Sequence, residues 1–96
     1  MIVAIDFSFV SGYVDLHAVR DKAKAAGAWV EQGPHDPFLY VGSVERIAQN
    51  KSRHGDFVSK GLPTIITVLG KNISFEKGVI VGIWQDIESF KREMQQ

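Results

Sequence analysis

Hydrophobic and polar positions alternate along residues 2–9. Val3, Ile5, Phe7 and Phe9 share one parity, and Ile2, Ala4, Asp6 and Ser8 share the other. A period of two marks a β-strand with one apolar face. The second parity is apolar at its start, which predicts a strand inside a sheet rather than at its rim. From residue 15 the period changes: Leu16, Val19, Ala23 and Ala26 fall at i, i+3, i+7 and i+10, one stripe of a helix. Asp15 or Ser11 can cap its start, and Gly27 suits the left-handed position after its end. Arg20, Lys22 and Lys24 lie off the stripe and read as a solvated face.

Trp29 and Val30 open a short strand that stops at Gly33, where GPHDP (33–37) reads as a loop. FLYVG (38–42) is aromatic and β-branched, as strands are. Ser43 then reads as the N-cap of a second helix carrying Val44, Ile47 and Ala48 inward and broken by Gly55. Pro63 leads into another strand, LPTIITVLG (62–70), followed by a turn at Lys71-Asn72, a short strand ISF and a clear strand VIVGIW (79–84). Asp86 caps a last helix with Ile87, Phe90 and Met94 on one side, and Lys91 and Arg92 complement its C-terminal end.

The order β-α-β-β-α-β, with an extra strand and helix, predicts one α+β domain over residues 1–96. It is of the ferredoxin-like split βαβ type, with two helices covering one face of an antiparallel sheet. The opposite face carries Ile2, Ala4 and Tyr40 or Leu39, an apolar surface of the kind that marks a partner contact. A homodimer or the C-terminal extension would bury it. Trp29 and Trp84 are core residues or, where exposed, contact hot spots.

Composition narrows the functional classes. Eleven basic residues balance eleven acidic ones, so no net charge draws the chain to nucleic acid or an anionic membrane. Zero cysteines exclude a disulfide framework, a thiolate zinc site and a cysteine nucleophile, and agree with a cytoplasmic location. No apolar run approaches the ~20 residues that span a bilayer. The chain contains no Walker loop, GxGxxG or GxSxG motif, and its three histidines lack zinc-site spacing. His17 and Asp21 form an i, i+4 pair. His35 lies beside Asp36, and His54 lies between Arg53 and Asp56, each a candidate general base or a solvated loop residue. NKSRH (50–54) is the densest basic stretch, with Lys51 and Arg53 as candidate phosphate contacts.

Asp6 closes an apolar run and is followed by Ser8 and Ser11. It is either a metal ligand or an ordinary carboxylate at a strand end. A short chain opening with a strand that ends in Asp, then a helix and two strands, resembles the Cas2 and VapD families. VGIWQDIESFKREM is similar to the way VapD-type chains end. That resemblance implies a small ferredoxin-like dimer and a Mg²⁺-dependent ribonuclease, with Asp6 as metal ligand and Ser8 as its neighbour. AIDFSFVSGYV also resembles the first strand of RuvC and RNase H-like nucleases, which continue with strands where residues 15–26 read as helix. The leading expectation is a small binding or regulatory protein without cofactor, acting through protein contact on the helix-free sheet face. The alternative is the ribonuclease, with Asp6 paired across a dimer interface to hold Mg²⁺.

Overall fold

The computed structural model describes residues 1–7, 15–33, 38–49, 64–75 and 78–95. In chain order the elements are β1 (Ile2–Asp6), α1 (Leu16–Ala25), β2 (Val30–Gln32), β3 (Phe38–Val41), β4 (Val44–Gln49), β5 (Thr64–Val68), β6 (Lys71–Phe75), β7 (Val79–Trp84) and α2 (Ile87–Met94). The chain is α+β, as expected, and every pairing among the described strands is antiparallel. The strands divide between two sheets, however, where one was expected: a four-stranded sheet in the order β2-β3-β1-β7 and a three-stranded sheet in the order β4-β5-β6.

Local chemistry accounts for most of the element ends. Asp15 accepts from the backbone N–H groups of His17 and Ala18, capping α1. At its other end Gly27 adopts φ +97°, donates to Lys24 O, and lets Ala28 donate to Ala23 O, the paired bonds of a Schellman ending. Asp86 caps α2 by accepting from Ser89 N at 2.7 Å. Both caps match the sequence reading.

Residues 44–49 are a correction, because they form strand β4 rather than a second helix. Val44 pairs with Val68, Arg46 with Thr67, Ile47 with Ile66 and Gln49 with Ile65, so the register slips twice. Each slip inserts an extra residue, and the first sets Val44 and Ile47 three apart on a strand. That spacing imitates a helical stripe. Ser43, expected as a cap, has φ +61° and turns the chain from the first sheet into the second. The next turn also moves. Val68 pairs with Lys71 across the two-residue loop Leu69-Gly70, whose φ values of +49° and +79° are those of a type I′ hairpin.

The main core lies between the two sheets. Val3, Ile5, Phe7, Leu39, Val41 and Ile80 of the first sheet meet Val44, Ile66, Val68, Ile73 and Phe75 of the second, with Ala23 of α1 alongside. The parity that holds Val3, Ile5 and Phe7 is therefore the core face, as the alternation predicts; Phe9 lies outside the described residues. Hydrogen bonds tie the layers together, among them a buried one from Thr64 Oγ1 to Gly78 O at 2.6 Å. Met1 and Val44 exchange backbone bonds, with the amine donating to Val44 O at 2.6 Å. Lys22, expected in solvent, donates to Ser74 O at 2.7 Å and fastens α1 to β6. No described helix is long and apolar enough to cross a membrane.

Candidate functional site

The second face of the four-stranded sheet is built by cross-strand pairs. Ala4 lies opposite Tyr40 on β3 and Gly82 on β7, Ile2 opposite Trp84, and Asp6 opposite Phe38 and Val79. Ile2, Ala4 and Tyr40 were expected on an apolar face for a partner, to be buried by a homodimer or by the C-terminal extension. They are buried within the chain, because α2 folds back and sets Phe90 among them. Phe90 is 6% exposed. Its ring meets Tyr40 at 5.0 Å, Trp84 at 5.1 Å and Trp29 at 5.9 Å, all edge-on. Such geometry aligns ring edges with the negative faces of their neighbours. The Trp84 indole N–H donates to Glu93, and the Tyr40 hydroxyl contacts Met94 Sδ at 3.7 Å, so α2 is held along its length. A Cβ added at Gly82 would lie 2.8 Å from Trp84 Cη2. Glycine there lets the indole lie across its own strand.

Beyond α2 the face opens into a groove of about 260 Å³ lined by Phe38, Tyr40, Gly82, Trp84 and Glu93. It runs to the outer edge of β7, which has no strand neighbour among the described residues. Ala4 pairs with Gly82 and Ile5 with Ile80, so Val81 is an inserted residue without a partner in β1. Val81 is 39% exposed and Ile83, opposite Val3, is 44% exposed. β7 is uncharged from end to end. The other outer strands carry charge: Glu31 on β2, Glu45 and Arg46 on β4, and Lys71 on β6.

A second concavity, of about 440 Å³, lies where α2 begins. It is lined by Trp29, Ser43, Gln85, Asp86, Ile87 and Lys91, with Met1, Ile2 and Gly42 behind them. The Asp86 carboxyl is held below the usual carboxylate range, chiefly by the hydrogen bond from Ser89 N, with Arg92 helping.

Asp6 lies on the second face, half-buried at the end of β1. Among the described residues no group of three or more His, Asp or Glu side chains is placed to hold a metal ion. Ser8, His35, Lys51 and Arg53, and with them His54, fall outside the described residues. His17 does not join Asp21, since its Nδ1 lies 2.9 Å from Arg20 Nη2 on the surface of α1. What the sequence did not signal is the cavity, whose walls come from residues 1–2, 29, 42–43, 85–87 and 91. Trp29 was flagged by type alone.

No family model, curated protein or solved structure matches this chain.

Proposed function

We propose that this chain is a small binding or regulatory protein that acts through protein contact at the outer edge of β7, and that its first partner is a second copy of itself. The observation that carries this reading is the uncharged edge strand with Val81 and Ile83 exposed. An open strand edge is a template for another strand, and natural edges are commonly blunted with charge. An antiparallel pairing of β7 with its own copy brings no like charges together. The insertion at Val81 confines regular pairing to Gly82–Trp84, and the aromatic groove beside it receives side chains from the partner strand.

Light scattering across a concentration series tests the proposal. The expected result is a mass moving toward twice 10.7 kDa, with amide protection at residues 82–84. Val81→Lys with Ile83→Lys is expected to give a folded monomer. A wild type that stays monomeric at millimolar concentration, with those amides exchanging freely, would overturn it.

For the fold, we read the order β2-β3-β1-β7 as the sheet of a ferredoxin-like arrangement whose second crossover carries, among the described residues, the strands β4, β5 and β6. The Mg²⁺-dependent ribonuclease reading rests on Asp6. In a dimer paired through β7, the two β1 strands stand three strand spacings apart, about 14 Å, too far for one ion to bridge two carboxylates. That chemistry therefore requires a different dimer. RNA cleavage that is lost with EDTA and in Asp6→Ala would favour it over the contact reading.

A further inference from the structure

The cavity at the start of α2 is independent of the β7 edge, and it carries unspent binding groups. Its volume of about 440 Å³ is within the range of small-molecule pockets. Two large apolar side chains line it and remain partly open, Trp29 at 39% and Ile87 at 43% exposed. Glycine at position 42 lets the Trp29 indole lie against the backbone at this wall, since a Cβ there would stand 3.0 Å from Trp29 Cε3. Ser43, next in the chain, holds a φ of +61° that serine rarely adopts, which brings residue 43 to the wall where the chain leaves one sheet for the other.

The charges in the wall are unequally engaged. Asp86 is ionised and committed, its carboxylate accepting from Ser89 N as the cap of α2. Lys91 lines the same cavity and has no hydrogen-bond or ion-pair partner among the described residues. The wall's unengaged hydrogen-bond donor is therefore the Lys91 ammonium, which shares the lining with the ionised Asp86 carboxylate. A hydroxyl at Ser43 and an amide at Gln85 stand by as neutral donors. An apolar slot with one open ammonium group is complementary to an anion that carries a flat apolar body.

We infer that this cavity binds a small aromatic carboxylate, its ring against Trp29 and Ile87 and its carboxylate on Lys91. The probe is 1-naphthoate, with the neutral 1-naphthalenemethanol as its isosteric control, each titrated into the full chain and followed by amide chemical shifts. The expected result is saturable binding with shifts centred on residues 29, 43, 87 and 91, and an alcohol at least about tenfold weaker, as the loss of one charge-assisted hydrogen bond implies. Lys91→Met is expected to weaken naphthoate by about the same factor and to leave the alcohol unchanged. Lys91→Arg is expected to restore the preference for the acid. The β7 variant Val81→Lys with Ile83→Lys keeps naphthoate binding, so failure of the contact reading and failure of this one are separable. Equal affinity for acid and alcohol in the wild type, shifts centred on the Trp84 groove, or no saturable binding would each overturn the inference.

Discussion

Phe90 decides whether α2 is a true cover of the sheet, and Phe90→Ala tests it. Phe90 is the one buried residue of an eight-residue helix, well short of the ~12–15 residues at which isolated helices become even marginal. Its ring stands at 5.0–5.9 Å from three other aromatic rings. A phenylalanine buries roughly 150 Å² or more, which at ~25 cal/mol per Å² is about 4 kcal/mol of transfer free energy. Core Phe→Ala changes cost about 3–5 kcal/mol when the void persists. Here the void need not persist, since α2 can lift away and trade the cavity for exposed Ile2, Ala4 and Tyr40. We therefore expect about 3 kcal/mol, the lower end of that range.

Urea unfolding followed by far-UV circular dichroism gives the free energy, and indole emission gives the local state. At roughly 4–8 °C per kcal/mol for a domain of this size, the melting temperature falls by about 12–24 °C. Emission shifts to the red, because Trp29 and Trp84 both lose an aromatic neighbour to water. Ile87→Ala and Met94→Ala, at partly exposed positions on the same helix, are expected to cost under about 1 kcal/mol each. A Phe90→Ala loss below about 1 kcal/mol with unchanged emission would refute the reasoning, and α2 would not be the element that closes the second face.

Other substitutions probe other links in the structure. Leu69 holds φ +49° in the β5–β6 hairpin and is 62% exposed, so Leu69→Asn should raise the urea midpoint by an amount worth about 0.5–1 kcal/mol; a lower midpoint would mean that the Leu69 contact with Gly27 outweighs the turn. Gly78→Ala places a Cβ 2.5 Å from Ile5 Cγ2 and 2.9 Å from Phe7 Cε1, and about 1–3 kcal/mol of overpacking should follow; a neutral result in thermal melts would show that this corner is loosely filled. The Asp86 carboxyl is held below its ordinary value, so its contribution to stability is present above the unfolded-state value near pH 4 and fades as pH falls through the lowered folded-state value. Asp86→Asn keeps a cap without the titration. Its unfolding midpoint should drop less than that of the wild type between pH 5 and pH 3, and parallel acid limbs would contradict this.

What was legible in the sequence and what was not divides along the range of the interactions. The Val3, Ile5, Phe7 parity, the Leu16 to Ala26 stripe, Gly27 and the Asp86 cap are each read within one element, and each holds. β4 was misread for a local reason with a non-local cause: its register slips are set by pairing with β5, and they place Val44 and Ile47 at helical spacing. The hairpin turn moved two residues because leucine is an uncommon choice for a left-handed position, so Leu69 gave no turn signal. Two sheets in place of one follow from which strands pair, which periodicity does not encode. The second face was recognised as apolar from Ile2 and Ala4. The C-terminal extension was one of two covers the sequence allowed; that α2 is the cover within the chain depends on one ring reaching across from residue 90.

That same helix touches both proposed surfaces. Its first turns carry Ile87 and Lys91 into the wall of the larger cavity, and Glu93 near its end holds Trp84 at the rim of the groove. Phe90 stands between them. A ligand that binds only while α2 is docked stabilises docking by RT ln(1 + [L]/Kd), about 2.7 kcal/mol at a hundredfold excess over Kd. By the same linkage, a change that frees α2 weakens ligand binding in proportion to the docked fraction it removes. Phe90→Ala therefore cannot separate the two surfaces, whereas Lys91→Met and the Val81, Ile83 pair act on one each without disturbing the ring cluster. If Phe90→Ala weakens naphthoate while leaving the side chains of the cavity unaltered, the coupling runs through docking of α2, and the factor of weakening is the reciprocal of the docked fraction that remains.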